Sequence, residues 1–191
     1  MIYAARIARM KGTDIIYLYA FKRILRICKG EKTMTYGLID RRSHKYYTYL
    51  RAVFDGIGNA QNRYNWLITD CVCYPENKDI EKQFDQEYCW LSGEALTAIL
   101  EKEDFQWIWA VLCGFPKDIP LEKILNYPLP SAQEYNGYYH NPVSLQHPLA
   151  SVEIIPSDSS WVLMVSKEKA LVDQYQKKFP KAEDLSLFNQ K

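Results

Sequence analysis

The sequence lacks a hydrophobic run long enough to cross a bilayer. Near the N-terminus the longest apolar stretch is Ile15–Phe21, and Lys22 follows it at once. A membrane-spanning helix needs about 20 apolar residues. A secretory signal needs a cleavage site of small residues, and none is evident. We therefore expect a cytoplasmic protein with no transmembrane segment.

Cysteine is present in an odd number and without the spacing of a zinc site. The five cysteines include one close pair, Cys71 and Cys73, which would share one face of a strand. A four-thiolate site with Cys89 and Cys113 would need a second close pair. Free cysteines usually pack as small apolar residues. We therefore expect reduced thiols, as in cytosolic proteins, with no metal site and no cofactor.

Motifs of the common catalytic classes are missing as well. No G-x-S-x-G elbow surrounds a serine, and Gly56-x-Gly58 does not continue into a phosphate-binding loop. One enzyme class stays open, in which Cys113 is a nucleophile and His140 or His147 its base, in a pocket beside the 127–148 loop. Cys113 lies in an apolar strand pattern, however, where a thiol is usually inert. We therefore expect a protein that is not an enzyme, with the Cys/His pocket as an alternative.

Charge is distributed unevenly along the chain. Residues 1–33 carry eight basic and two acidic side chains, whereas residues 34–191 carry sixteen basic and twenty-one acidic ones. Translated back into A-rich codons, Lys29–Met34 contains a bacterial ribosome-binding sequence ahead of ATG. We therefore expect Met34 to be the natural start and residues 1–33 to be a basic N-terminal extension. The alternative is a real basic helix over residues 15–28 that lies on a membrane surface.

Hydrophobic periodicity from Met34 onward indicates strands mixed with helices. It predicts a single α+β domain over residues 34–191, with a mostly antiparallel sheet, helices packed on it and the basic N-terminal helix or extension in front. Ser92 is expected to cap a helix from Gly93 to about Lys102. The other predicted elements are strands at 35–39, 64–70 (extended over 71–74), 87–91, 105–115, 151–155 and 161–165, a polar loop at 76–87, and helices at 44–57, 121–125 and 167–179.

Aromatic residues make up 14% of the chain and include fifteen tyrosines. Three predicted strands each carry two aromatics that alternate and therefore share a face. If those strands are neighbours, one face of the sheet is aromatic. That face is core where helices cover it and a binding surface where they do not. The pairs are Tyr64 with Trp66, Tyr88 with Trp90, and Trp107 with Trp109.

A long loop follows the predicted helix at 121–125. It runs from Tyr127 to Pro148, whereas connections in compact domains usually span about four to six residues. Loops of this length often carry function. We predict that its binding residues are Tyr135, Tyr138, Tyr139 and His140, and packing within the loop is the alternative for each of them.

Five segments in a fixed order after Met34 are similar to those of a known family. They are a tyrosine-rich helix, a strand, a helix opened by Ser-Gly-Glu, an aromatic strand that runs into FPK, and a late hairpin that leads into a helix. The segments are YYTYLRAVFDGI, YNWLI, SGEALTAILE, FQWIWAVLCGFPK and DSSWVLMVSKEK. On these, most of residues 34–191 resembles a family of small cytosolic proteins of Bacillus-type bacteria that is classed as a domain of unknown function.

The resemblance implies no activity, because none is attributed to that family. Several small, acidic, tyrosine-rich bacterial proteins are immunity proteins that bind and block a toxin. By this analogy we expect a non-enzymatic cytosolic protein-binding module of the immunity or toxin-neutralising kind, which acts by occlusion. An acidic surface would steer it to a basic, toxin-like partner, and exposed aromatics would anchor it. Residues 34–191 lack the basic footprint of a nucleic-acid-binding protein, so we expect no nucleic acid as partner.

Overall fold

The computed structural model of the protein describes residues 34–43, 48–133 and 135–191. The predicted extension 1–33 and the basic helix at 15–28 lie outside these residues, as do the first four residues of the predicted helix 44–57. Residues Thr35–Lys191 form one compact unit.

One antiparallel sheet runs through this unit, as the sequence predicts. Within the described ranges it has eight strands: β1 Tyr36–Asp40, β2 Thr48–Tyr49, β3 Tyr64–Tyr74, β4 Tyr88–Ser92, β5 Gln106–Pro116, β6 Val152–Ser157, β7 Trp161–Ser166 and β8 Glu183–Asp184. The order is β4-β3-β5-β6-β7-β1-β8, and the short β2 also pairs with β5. The two long strands, β3 and β5, lie side by side, which confirms the apolar run around residues 105–115 as a central strand.

Helices connect these strands and pack on the sheet. They are α1 Leu50–Gly56, α2 Lys78–Phe84, α3 Gly93–Lys102, α4 Leu121–Ile124, α5 Lys169–Lys178 and α6 Leu185–Phe188, with single 3₁₀ turns at Ala60–Arg63 and Gly137–Tyr139. The α+β class is therefore confirmed. Ser92 caps α3 as predicted, because its hydroxyl accepts a hydrogen bond from the Ala95 amide at 3.1 Å.

Two predicted elements differ from the structure. The polar stretch 76–87 was expected to be a loop, but it contains α2, whose first turn is capped by the Asn77 side chain through the Asp79 and Ile80 amides. The helix predicted from residue 44 begins only at Leu50, because residues 48 and 49 pair with β5 instead. The first difference arises from a helix cap and the second from pairing with a distant strand. Hydrophobic periodicity reports neither of them.

The sheet is buried on both faces. A first core lies under the longer helices, and its helical members are Leu50, Val53, Phe54, Ile80, Phe84, Leu96, Leu100, Leu171, Val172 and Tyr175. A second core lies on the opposite face, where the long loop and two short helices cover the sheet with Ile124, Tyr138, Val143 and Leu185. The predicted loop is therefore a layer of the fold, and we call residues 127–148 the covering loop.

The predicted aromatic face is divided between the two cores. Trp66 of β3 lies opposite Leu91 of β4, so Trp90 points to the other side of the sheet. Tyr64 and Trp66 are accordingly in the first core, whereas Trp90 packs against the second. The strands are neighbours, but their register separates the aromatic pairs.

Candidate functional site

A buried carboxylate lies beneath the covering loop. Glu153 points from β6 into the second face of the sheet and has no exposed surface. One carboxylate oxygen accepts the His147 amide at 2.7 Å and the Cys113 thiol at 3.4 Å. The other accepts the Gln146 amide at 2.8 Å and the Tyr138 hydroxyl at 3.0 Å. Four donors thus converge on one carboxylate, and three of them belong to the covering loop.

Burial dominates the electrostatics of this cluster. It raises the pKa of Glu153, although the four hydrogen bonds act in the opposite direction. Burial, with the nearby carboxylate, also raises the pKa of the Cys113 thiol and of the Tyr138 hydroxyl. Each donor is neutral, so the cluster is held by hydrogen bonds without an ion pair among its members. Cys113 and Tyr138 therefore remain protonated at neutral pH and act as donors.

Further hydrogen bonds join two parts of the covering loop to each other and fasten the loop to β3. The Gln146 side-chain carbonyl accepts the Ser131 backbone amide at 2.6 Å, and the Gln146 side-chain NH₂ donates to the Ser131 backbone carbonyl at 3.0 Å. Asp70 accepts the Ala132 amide at 2.7 Å, and the Thr69 hydroxyl donates to the Pro130 carbonyl at 2.8 Å. The loop is consequently ordered by polar contacts at several points along its length.

The structure gives His147 a packing role. Its Nε2 lies 3.2 Å from the Ile124 carbonyl, and its Nδ1 accepts the Leu149 amide at 3.2 Å, which leaves the ring neutral with its proton on Nε2. The ring also packs edge-on against Phe115, with centroids 4.8 Å apart. Burial lowers the pKa of His147. Both ring nitrogens are occupied, so His147 is not placed to take a proton from Cys113.

The other predicted couple, Cys113 with His140, is not brought together. The Cys113 thiol is buried against Glu153, whereas His140 is exposed and has its Nδ1 2.9 Å from the Asn136 carbonyl. The structure therefore pairs Cys113 with a carboxylate that sequence reasoning missed. The only local signal for Glu153 is a lone acidic residue inside the apolar strand SVEIIP.

The predicted binding residues occupy different layers. Tyr138 is 1% exposed and Tyr135 is half-buried against its ring, with centroids 4.6 Å apart. Tyr139 is 40% exposed, and His140 is exposed beside it. Tyr138 is buried and its hydroxyl donates to Glu153, and its predicted role in binding a partner stays a prediction. Of the four predicted residues, Tyr139 and His140 are the ones that are exposed.

The C-terminal helix borders this exposed part of the loop. Asn141 donates to the Ser186 carbonyl at 2.8 Å, and Asn189 donates to the Tyr138 carbonyl at 2.9 Å. Leu187, between these anchors, is 62% exposed. We call Tyr139, His140 and Leu187 the loop–α6 surface. Leu187 was missed from the sequence because a four-residue helix shows too few residues to reveal which side it buries.

The cysteines are divided between the two faces of the sheet. Cys71, Cys73 and Cys89 pack against the first core, whereas Cys113 is in the second, so the four cannot share one site. The Cys71 thiol donates to the Cys73 sulfur, 3.7 Å away. That hydrogen bond, together with burial, raises the pKa of Cys71. In the described part of the chain, no group of three or more His, Cys, Asp or Glu side chains is arranged to hold a metal.

None of the helices that the structure describes is long and apolar enough to pass through a membrane. No protein-family model, curated protein or solved structure matches the chain. The resemblance to the Bacillus-type family therefore stays a prediction.

Proposed function

We propose that residues 34–191 form a protein-binding module, of the immunity or toxin-neutralising kind, that blocks a basic partner by occlusion. The observation that carries the proposal is the loop–α6 surface: an exposed tyrosine, histidine and leucine on backbone that the Glu153 cluster and two asparagine contacts hold in place. Anchoring residues bind best when their conformation is fixed before the partner arrives, since less entropy is then lost.

The chemistry of the covering loop favours binding over catalysis. Cys113 is a buried hydrogen-bond donor, and both ring nitrogens of His147 contact backbone groups. A nucleophile and base must lie within hydrogen-bond reach of each other and of a substrate. The Cys113 thiol and both ring nitrogens of His147 are thus already engaged in structural hydrogen bonds.

Charge supports a basic partner. The described unit belongs to the stretch of chain with twenty-one acidic and sixteen basic side chains. Opposite net charges accelerate encounter and disfavour acidic competitors, while the aromatic and aliphatic anchors determine how slowly the complex dissociates. Association should therefore slow as salt is added, with a smaller change in the dissociation rate.

The test is capture of a partner by the full chain from its own cells, followed by binding measurements with the purified pair. We expect a basic protein, and expect Tyr139→Ala together with Leu187→Ala to weaken its binding at least about tenfold, as for hot-spot residues. Tyr74→Ala is the matched control, because Tyr74 is 66% exposed on β3 and lies outside the loop–α6 surface. Its binding should equal that of the wild type.

Two outcomes would contradict the proposal. Capture that returns the protein alone would remove the binding function. Capture of a partner whose affinity is unchanged by Tyr139→Ala and Leu187→Ala would remove the surface assigned here. A Cys113→Ser variant that loses an assayable reaction would instead favour the enzyme alternative.

A further inference from the structure

A cavity lies where α1, the 3₁₀ turn at Ala60–Arg63 and α3 meet. Its volume is about 110 Å³. Phe54 and Leu100 form the apolar part of its lining, and both belong to the first core, on the face of the sheet opposite the covering loop. Exposed polar side chains surround its entrance: Arg51, Asp55, Asn59 and Glu101. The cavity is therefore separate from the candidate site described above.

Packing fixes the 3₁₀ turn that carries Gln61 in the wall of this cavity. The Gln61 backbone carbonyl accepts the indole N–H of Trp66 at 3.0 Å. Gly93, the first residue of α3, lies so close to the turn that a Cβ there would be 2.0 Å from the same carbonyl. The wall is therefore in place before a ligand arrives, which lowers the entropy lost on binding.

One buried polar atom of this wall has no hydrogen-bond partner. Gln61 is 0% exposed, and its side-chain NH₂ donates to the Asn59 side-chain oxygen at 3.3 Å and to the Thr97 hydroxyl at 3.0 Å. Both of those residues also line the cavity. Within the described part of the chain, no donor reaches the Gln61 side-chain oxygen, Oε1. A buried acceptor without a donor costs free energy, which a donating ligand would recover.

The orientation of the Gln61 amide group follows from its neighbours. Thr97 has one hydroxyl proton, and that proton is directed to acceptors of Gly93 and Asn62, whose oxygens lie 2.8 Å and 2.9 Å away. The hydroxyl therefore has only lone pairs left for Gln61, so the group that faces it is the NH₂. The unpartnered atom is accordingly the acceptor, and a ligand must bring a donor to it.

We propose that this cavity binds a compact ligand through a primary ammonium group. An alkylammonium ion has three N–H donors, which suit the Gln61 oxygen, and a short chain, which suits Phe54 and Leu100. Small-molecule sites commonly combine an apolar lining with a few placed polar groups. A volume of about 110 Å³ limits the ligand to a few heavy atoms.

The charges at the entrance fit such a ligand. Glu101 supplies a carboxylate that balances an ammonium group, whereas the Asp55 carboxylate lies 3.8 Å from the Lys178 ammonium. Arg51 supplies a guanidinium, which would pair with a carboxylate on the ligand. Two sources therefore share this chemistry: a simple alkylamine, and an amino compound that also carries a carboxylate.

The experiment is a titration of the full chain with n-propylammonium chloride at constant ionic strength, followed by two-dimensional amide NMR. We expect saturable shifts of the amide signals of Asn59, Gln61 and Thr97. A dissociation constant of about 1 mM is reasonable for a ligand with so few heavy atoms. Tetramethylammonium chloride is the matched control, because it carries the same charge without an N–H donor and should give no saturable shift.

A second probe distinguishes the two sources of the ammonium group. Aminobutyrate with its amine on the γ-carbon is propylammonium with a carboxylate added at the other end. Tighter binding of this probe, lost again in Arg51→Gln, would identify the amino compound with a carboxylate as the fitting class. Equal or weaker binding would identify the simple alkylamine.

Matched variants assign the shifts to the cavity. Gln61→Met keeps the length of the side chain but removes the acceptor, and should weaken propylammonium binding at least about tenfold. Glu101→Gln changes an exposed side chain, so the fold is not at risk, and should weaken binding about threefold. Glu122→Gln, also exposed but on α4, should bind as the wild type does. Circular dichroism of each variant checks that the fold is intact.

Three results would overturn the assignment. The absence of a saturable shift with both amines would show that the cavity takes up only water, which can also donate to a buried oxygen. Equal shifts with tetramethylammonium would show that charge alone is sensed. Binding that is unchanged in folded Gln61→Met and in Glu101→Gln would place the amine elsewhere. None of these depends on whether the loop–α6 surface binds a protein, so the two proposals can fail separately.

Discussion

At the scale of the residue, Glu153 determines how the second face of the sheet is organised. A buried carboxylate is costly unless its oxygens are hydrogen-bonded, and here each oxygen accepts two donors. No periodicity in the sequence points to this role, since the donors come from residues up to forty positions away. Its consequence should be visible as a particular dependence of stability on pH.

We expect Glu153 to make the native state less stable as pH rises above the ordinary glutamate pKa of about 4.3. Because burial raises the pKa of Glu153, the native state keeps a proton that the unfolded state has released. Relative to Glu153→Gln, the wild type should lose about 1.4 kcal/mol per pH unit until the native pKa is passed. Urea unfolding of both proteins from pH 4 upward measures this difference.

Comparison with the variant is needed because the titration of His147 makes the native state more stable as pH rises, which is opposite to the effect of Glu153. Burial lowers the pKa of His147, so protonation of the unfolded state below about pH 6.5 reduces stability on the acid side. That contribution is common to both proteins and cancels in the difference. A difference that stays constant between pH 4 and pH 7 would contradict the role of Glu153.

At the scale of the element, the structure separates what local sequence determines from what it does not. Ser92 and the residues that follow it predict α3 with its bounds, because a cap and an apolar spacing act within one turn. The cap of α2 at Asn77 is equally local, but only Ile80 and Phe84 of that helix are buried. Two buried residues are too few to give a helical hydrophobic pattern, so α2 was not predicted. The covering loop was recognised as long, whereas its burial depends on donors and acceptors that meet only in the folded chain.

Gln146 provides a test of how the covering loop is held. Its side chain bonds the Ser131 backbone, and its backbone N–H donates to Glu153. Gln146 therefore joins two parts of the loop to the sheet. We expect Gln146→Ala to accelerate amide exchange at residues 132 and 147 about tenfold, the effect of losing about 1.4 kcal/mol of local stability. Native-state hydrogen exchange measures it residue by residue.

The control for this prediction lies in the same loop. Gln133 is exposed, so Gln133→Ala should leave exchange at residues 132 and 147 unchanged. Exchange in the centre of β5 should stay slow in both variants, because opening of the loop does not require the sheet to open. Equal exchange in Gln146→Ala and Gln133→Ala would show that the loop is held by other contacts.

At the scale of the whole molecule, one sheet is shared by two cores. Central strands contribute alternate residues to each side, as Leu112 does to the first core and Leu163 to the second. The α+β class and the mostly antiparallel sheet could be predicted from hydrophobic periodicity. The presence of a second core could not, because most of its cover is irregular chain without a periodic pattern.

Sharing of strands predicts cooperative unfolding of the sheet unit. Leu112→Ala and Leu163→Ala should each lower the free energy of unfolding by about 2–5 kcal/mol, as in other large-to-small core substitutions. Each should move the tryptophan fluorescence transition and the far-ultraviolet circular dichroism transition together. A Leu163→Ala protein in which the two transitions separate would show that the second core can melt alone.

The bulge at Asp70 has a consequence for aggregation. β3 extends past β4, so a regular strand there would offer unpaired backbone groups to another chain. The positive φ at Asp70 and the register shifts around Val72 twist this stretch. Pro75, directly after Tyr74, has no backbone N–H to donate to another strand. At the other end of the sheet, β8 is only two residues long. The part of β3 that projects past β4, and the two-residue β8 at the other end of the sheet, are therefore poor templates for edge-to-edge growth into fibrils.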